Sequence, residues 1–109
     1  MPYDEELAGR VRAQLDARPD LVERKMFGGM AFMLGGNMAC GVLGDELIVR
    51  LPADEGEAAL SQPGVRPFDF TGRPMKGFVV VSSSVLATDD ELDAWVVRGE
   101  AHASSLPPK

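Results

Sequence analysis

Three apolar runs occupy the stretch from Lys25 to Leu51, set off by Gly28-Gly29, Gly35-Gly36-Asn37 and Gly44-Asp45. Short apolar runs bounded by glycine-bearing turns are the pattern of an antiparallel three-stranded meander, because glycine reaches positive φ without a Cβ clash. Alternation assigns Phe32, Leu34, Cys40, Val42, Leu47, Val49 and Leu51 to one face, and Ala31, Met33, Ala39, Leu43 and Ile48 to the other. Both faces are therefore apolar. A single helical layer covers one face only, so the other needs a cover, and a second copy of the chain is the economical source. The pattern thus predicts a homodimer that buries part of the sheet, the alternative being helices on both faces of one monomer.

The flanking segments supply the helices. Over 4–17, Leu7, Val11 and Leu15 recur every four residues with Ala8 beside them, Asp4 stands at the N-cap, and Arg18-Pro19 ends the run. Arg10, Arg12, Gln14 and Asp16 fall on the wet side. Residues 20–24 read as an irregular or short extended lead-in to the meander. A short second helix is predicted over 52–61, weakened by Gly56 and stopped at Gln62-Pro63-Gly64. The alternating 65–70 segment is an edge strand, since Pro67 cannot donate to a ladder; Thr71-Gly72-Arg73-Pro74 turns the chain, and 75–82 holds the strand Phe78-Val79-Val80-Val81. Thr88-Asp89-Asp90-Glu91 is a capping box that opens a last helix with an inward stripe of Leu92, Trp95, Val96, Gly99 and Ala103, ending at Leu106 before Pro107-Pro108. The expected order is α-β-β-β-α-β-β-α, an α+β domain with one antiparallel sheet and helices on one side.

Length and charge narrow the function. A chain of 109 residues makes one domain over 1–109, with no second core. Seventeen acids against eleven bases give a net charge of −6, which repels phosphate backbones and removes the footprint of an autonomous nucleic-acid-binding domain. No apolar run approaches the roughly twenty residues that span a bilayer, and the acidic N-terminus lacks a signal pattern, so membrane insertion and secretion are not expected. The single cysteine, Cys40, sits in an apolar run and fits a buried hydrophobe in a cytoplasmic protein.

Catalytic and metal chemistry find no constellation. His102 lies near the end of the last helix without a ligand partner at metal spacing, and Ser82-Ser83-Ser84 lacks the nucleophile elbow and a nearby imidazole. The paired glycines lack the spacing of a phosphate loop, and the acid pairs stand at helix starts, where they favour the dipole. No catalytic residue, metal site or cofactor is assigned. One feature stands out against the acidic background: Lys25, Arg50, Arg66, Arg73 and Lys76 lie in or beside the sheet. Convergent, they would form a basic surface for a phosphate, a nucleic-acid backbone or an acidic partner; dispersed, each pairs with a local acid such as Asp45, Glu46 or Asp69.

At Lys25-Met26-Phe27-Gly28-Gly29, Gly36-Asn37-Met38 and Phe70-Thr71-Gly72-Arg73-Pro74-Met75-Lys76-Gly77, together with the Tyr3-Asp4 start, the chain resembles the N-terminal domain of the TfoX/Sxy family. The resemblance covers nearly the whole chain. It implies an α-β(3)-α-β(2)-α fold grouped with secretion-chaperone-like domains, and dimerisation, which is common among chaperones of that fold. Two-domain members of the family regulate natural competence together with the cyclic-AMP receptor protein at promoters. The present chain is expected to hold the N-terminal domain without the C-terminal helical one, and no family site residue transfers to it. The expectation is a cytoplasmic, non-enzymatic interaction module that acts in transcription or another process through a protein partner, with direct nucleic-acid or anion binding through the basic set as the alternative.

Overall fold

A computed structural model of the chain describes residues 3–26, 28–68 and 77–107. In chain order the elements are α1 (Glu5–Leu15), β1 (Leu21–Met26), β2 (Gly29–Leu34), β3 (Asn37–Leu43), β4 (Glu46–Arg50), α2 (Ala53–Ala59), β5 (Val65–Pro67), β6 (Phe78–Val81), a 3-10 turn at Ser83–Val85, and α3 (Asp89–Ser105). The strands form one sheet in the order β1-β2-β3-β4-β6-β5, antiparallel throughout. The α+β class with helices on one side holds, with one strand more than the hydrophobic pattern predicts. That strand is β1, which pairs with β2 over its whole length from Leu21↔Leu34 to Met26↔Gly29. Its Glu23-Arg24-Lys25 centre hides it from a hydrophobicity reading, as is usual for an edge strand.

All three helices contribute to a single core on one face of the sheet. Leu7, Ala8, Val11 and Leu15 of α1, Ala59 of α2, and Leu92, Trp95, Val96 and Ala103 of α3 pack on Phe32, Leu34, Cys40, Val42, Leu47, Val49 and Val81. The α1 stripe follows the predicted spacing, and Asp4 caps the helix by accepting from the amides of Glu6 and Leu7 at 2.9 and 3.3 Å. Helices α1 and α3 lie side by side and parallel. Midway along α1, Arg10 donates to the Leu86 carbonyl and to Asp89 at the start of α3; past the end of α1, Arg18 donates to Glu100 and Ser104. Gln14 lies between these two ties, half-buried rather than wet, and its Oε1 has no hydrogen-bond partner among the described residues.

Two glycines permit backbone-to-backbone packing. A Cβ on Gly56 would stand 2.8 Å from the Cα of Gly77, so the residue that weakens α2 as an isolated helix is what lets it sit against the entry to β6. A Cβ on Gly99 would collide with the Ala39 carbonyl oxygen, and α3 crosses β3 there without a side chain between them. Ala39 itself corrects the alternation. The register passes from Phe32↔Cys40 to Met33↔Met38, leaving Ala39 as the extra residue of a bulge. The bulge turns Ala39 to the helix-covered core and gives the opposite face to Met38.

The remaining boundaries agree closely with the sequence. The capping box forms in full, Thr88 Oγ1 accepting from the Glu91 amide at 3.1 Å and Glu91 Oε1 accepting from the Thr88 amide at 3.3 Å. At the other end of α3, the buried Asn37 donates through Nδ2 to the Pro107 carbonyl at 2.9 Å, tying the C-terminal tail to the β2–β3 turn. The edge strand predicted over 65–70 is seen over its first half. Asp69, Phe70, the turn at Thr71-Gly72-Arg73-Pro74, and Met75 lie outside the described residues.

Candidate interaction surface

The face of the sheet turned away from the helices carries a second apolar cluster of Ala31, Met38, Ile48, Phe68 and Val80, with Met33, Leu43 and Phe78 packed against it. Among the described residues, none from a helix belongs to it. Ala31 and Ile48 are fully buried within the single chain. The centre of this face is thus already covered by its own neighbours, and the part left for another molecule is the surrounding shell. Met33, Leu43 and Phe78 are half-buried, and Val22, opposite Met33 on β1, is 52% exposed.

Charged residues rim this shell. Arg24 pairs in register with Ala31, which puts it on the helix-free face at the β1 edge. Arg50, opposite Phe78 in the β4–β6 ladder, has its guanidinium carbon 5.5 Å from the Phe78 ring centroid, a cation–π distance. Arg66, opposite Val80, grips Glu46 with both terminal nitrogens, Nη2 to Oε1 at 2.6 Å. That fork holds the Glu46 carboxyl below its usual range.

The five basic residues singled out in the sequence are distributed as follows. Arg50 and Arg66 belong to the helix-free face, and Arg66 is engaged with Glu46, the local acid foreseen for it. Lys25 pairs in register with Met30, which places it on the helix-covered side of β1. Strands β1 and β5 are the two edges of the sheet, so Lys25 and Arg66 stand roughly 24 Å apart at about 4.8 Å per strand. Arg73 and Lys76 lie outside the described residues. The structure therefore brings no more than two of the described members to one face. Arg24, which sequence reasoning passed over, joins them there; its signal was parity with Val22 along an edge strand whose pairing the hydrophobic pattern did not show.

The polar groups considered for chemistry have structural partners. Ser82 caps the 3-10 turn through the Ser84 amide, and His102 lies several turns along α3 from it. His102 is half-buried; burial lowers its pKa first, the Arg50 guanidinium lowers it further, and Glu55 opposes both. The Cys40 thiol is fully buried and pushed up to about 12 by that burial. A small cavity near the start of α1 is lined by Asp4, Glu6, Arg10, Asp45 and Ser83, but Asp4 is engaged as a cap and Arg10 in its bonds to Leu86 and Asp89. Among the described residues no three His, Cys, Asp or Glu side chains are grouped to hold a metal ion. Among the same residues, no helix is long and apolar enough to cross a membrane.

The family model described as the TfoX N-terminal domain matches residues 13–103, from within α1 almost to the end of α3. The chain belongs to that family. Among curated proteins, no sequence matches it. In this TfoX N-terminal domain the matched region contains the entire sheet, the whole of the second apolar cluster and the rim formed by Arg24, Arg50 and Arg66.

Proposed function

We propose that this TfoX N-terminal domain is a non-enzymatic interaction module, working in the cytoplasm, that binds a protein partner through the helix-free face of its sheet and acts through it on transcription. One observation carries the reading: a half-buried shell of Met33, Leu43 and Phe78 around a buried centre that includes Met38, rimmed by arginines. A flexible methionine such as Met33 lets an apolar shell repack against different surfaces, and rim arginines add planar contacts to acidic or aromatic groups. Direct nucleic-acid binding is the less favoured reading, because Arg66 is engaged with Glu46, Lys25 belongs to the other face, and the chain carries a net charge of −6.

The test is affinity capture of the tagged chain from its native lysate, with and without nuclease, beside a Met33→Glu, Leu43→Glu double variant that keeps the wild-type circular dichroism. A stoichiometric protein that survives nuclease and is lost with the double variant is the expected result. Capture that disappears with nuclease, or that is indifferent to the double variant, overturns the assignment.

A further inference from the structure

Strand β1 ends the sheet on one side, and the two edges are built differently. The β5 edge is three residues long and contains Pro67, which removes a donor. The β1 edge is six residues long and registers with β2 without a break. Beyond that ladder, its one backbone hydrogen bond among the described residues is Leu21 N to the Arg18 carbonyl, at its very start. Val22 on this strand is the most exposed large hydrophobic side chain of the described residues, and Arg24 and Lys25 are exposed too. A regular edge of this length is a template for another strand, and its charges decide which strand fits.

We propose that β1 pairs antiparallel with β1 of a second copy, about a two-fold axis through Arg24, joining two six-stranded sheets into one. The register follows from parity and charge. Opposed residues in an antiparallel pair share a face, so only like-parity positions can meet. Centred on Arg24, the pairing sets Glu23 opposite Lys25 of the second copy, and symmetry repeats the contact. Both positions belong to the helix-covered side, as their partners Phe32 and Met30 show. Opposite charges directly across a ladder are favourable, and Lys25 would extend the pair that Glu23 already makes with Arg12. Centring on Glu23 instead sets carboxylate against carboxylate. In the chosen register Val22 is covered by the second strand, and the like-charged Arg24 pair falls at the axis on the helix-free face, where both side chains can diverge into water. This dimer takes up Val22 and Arg24 at the β1 rim of the helix-free face but leaves the shell of Met33, Leu43 and Phe78 available, so it does not rest on the partner-binding reading. About five paired positions per strand make a small interface, and the dimer is expected to dissociate with dilution.

Cysteine cross-linking reads the register directly. Residues facing each other at the axis have Cα atoms about 4.5–5.5 Å apart, within the span of a disulfide, so Arg24→Cys is expected to link to itself under mild oxidation. Val22→Cys, whose two copies stand about 14 Å apart in this register, is expected not to. The wild-type chain, whose Cys40 is buried, serves as the blank. Sedimentation over the micromolar range is expected to show the mass rise from 11.7 kDa towards twice that value. Lys25→Glu, an exposed substitution that leaves the fold intact, is expected to weaken association about tenfold, because it sets a carboxylate opposite Glu23 on both sides of the axis. A mass of one chain throughout together with no Arg24→Cys cross-link overturns the proposal. So does a dimer indifferent to Lys25→Glu, or one in which Val22→Cys cross-links and Arg24→Cys does not.

Discussion

Gly99 occupies the point where α3 touches β3, and any Cβ there meets the Ala39 carbonyl oxygen and, at 3.3 Å, Val49 Cγ1. Backbone cannot yield as a flexible side-chain end can, so Gly99→Ala is expected to destabilise the fold by about 1–3 kcal/mol or more despite its helix-favouring propensity, measured as a lower urea midpoint. Gly9 is the opposite case. Its Cβ would meet nothing within 4 Å and its φ is ordinary, so Gly9→Ala is expected to raise stability by about 0.5–1 kcal/mol in the same titration. The two glycines look alike in the sequence; only their surroundings separate them. Cys40 offers a third residue-scale check. With its thiol fully buried and pushed up to about 12, it is expected to be silent towards a thiol reagent in the native protein and to react once the protein is unfolded by denaturant.

Among the elements, α3 owes its start to local chemistry and its packing to a side-chain stripe, and both were legible. Thr88→Ala removes the hydroxyl that accepts from the Glu91 amide and is expected to cost about 1 kcal/mol, with the loss centred on the first turn of α3 in amide exchange. Strand β1 was less legible because an edge strand needs no hydrophobic alternation. Its attachment to α1 is visible only in three dimensions, where Arg12 donates to both oxygens of Glu23 at 2.5 and 2.6 Å. That fork, more than desolvation can offset, holds the Glu23 carboxyl below its usual range. Because the folded pKa lies below the unfolded one, the stabilisation is complete above the ordinary glutamate range and disappears as the pH falls through the depressed value. The pair is solvent-screened, so Glu23→Gln is expected to cost less than about 1 kcal/mol at neutral pH and to match the wild type in strong acid, as thermal melts across the pH range would show.

At the scale of the whole molecule, His102 of α3 feels charges carried by two other elements, Arg50 of β4 and Glu55 of α2. Burial and then Arg50 lower its pKa from 6.5, so the folded chain favours the neutral imidazole. The stabilisation is present above the unfolded pKa and is lost as the pH drops through the folded one, in a window that opens at a higher pH than that of Glu23 because the ordinary values it starts from are 6.5 and 4.5. His102→Gln is expected to remove this upper step from the stability–pH curve and to leave the acidic one. The reverse order of loss would contradict the assignment. The placement of the basic residues is also a whole-molecule property. Lys25 and Arg66 are drawn apart by a strand order in which β1 and β5 take opposite edges, whereas Arg50 and Arg66 are brought to one face by β6 inserting between β4 and β5.

What the sequence determined by itself was whatever depends on near neighbours along the chain. The caps at Asp4 and Thr88, the inward stripes of α1 and α3, and the helix-covered set from Phe32 to Leu51 all follow from local hydrogen bonding and side-chain periodicity. The one-sided helical layer also followed, because three short amphipathic helices suffice for one face of a small sheet. Tertiary structure alone decided the rest. The bulge that reverses Ala39 arises from β2 and β3 negotiating their register, and the use of Gly56 appears only when Gly77, distant in sequence, comes against it. The strand order that makes β1 an edge, and the burial of Ala31 and Ile48 within one chain, depend on contacts between segments far apart in sequence. Non-local contacts are fixed by how whole elements fit together, and no window of neighbouring residues contains that information.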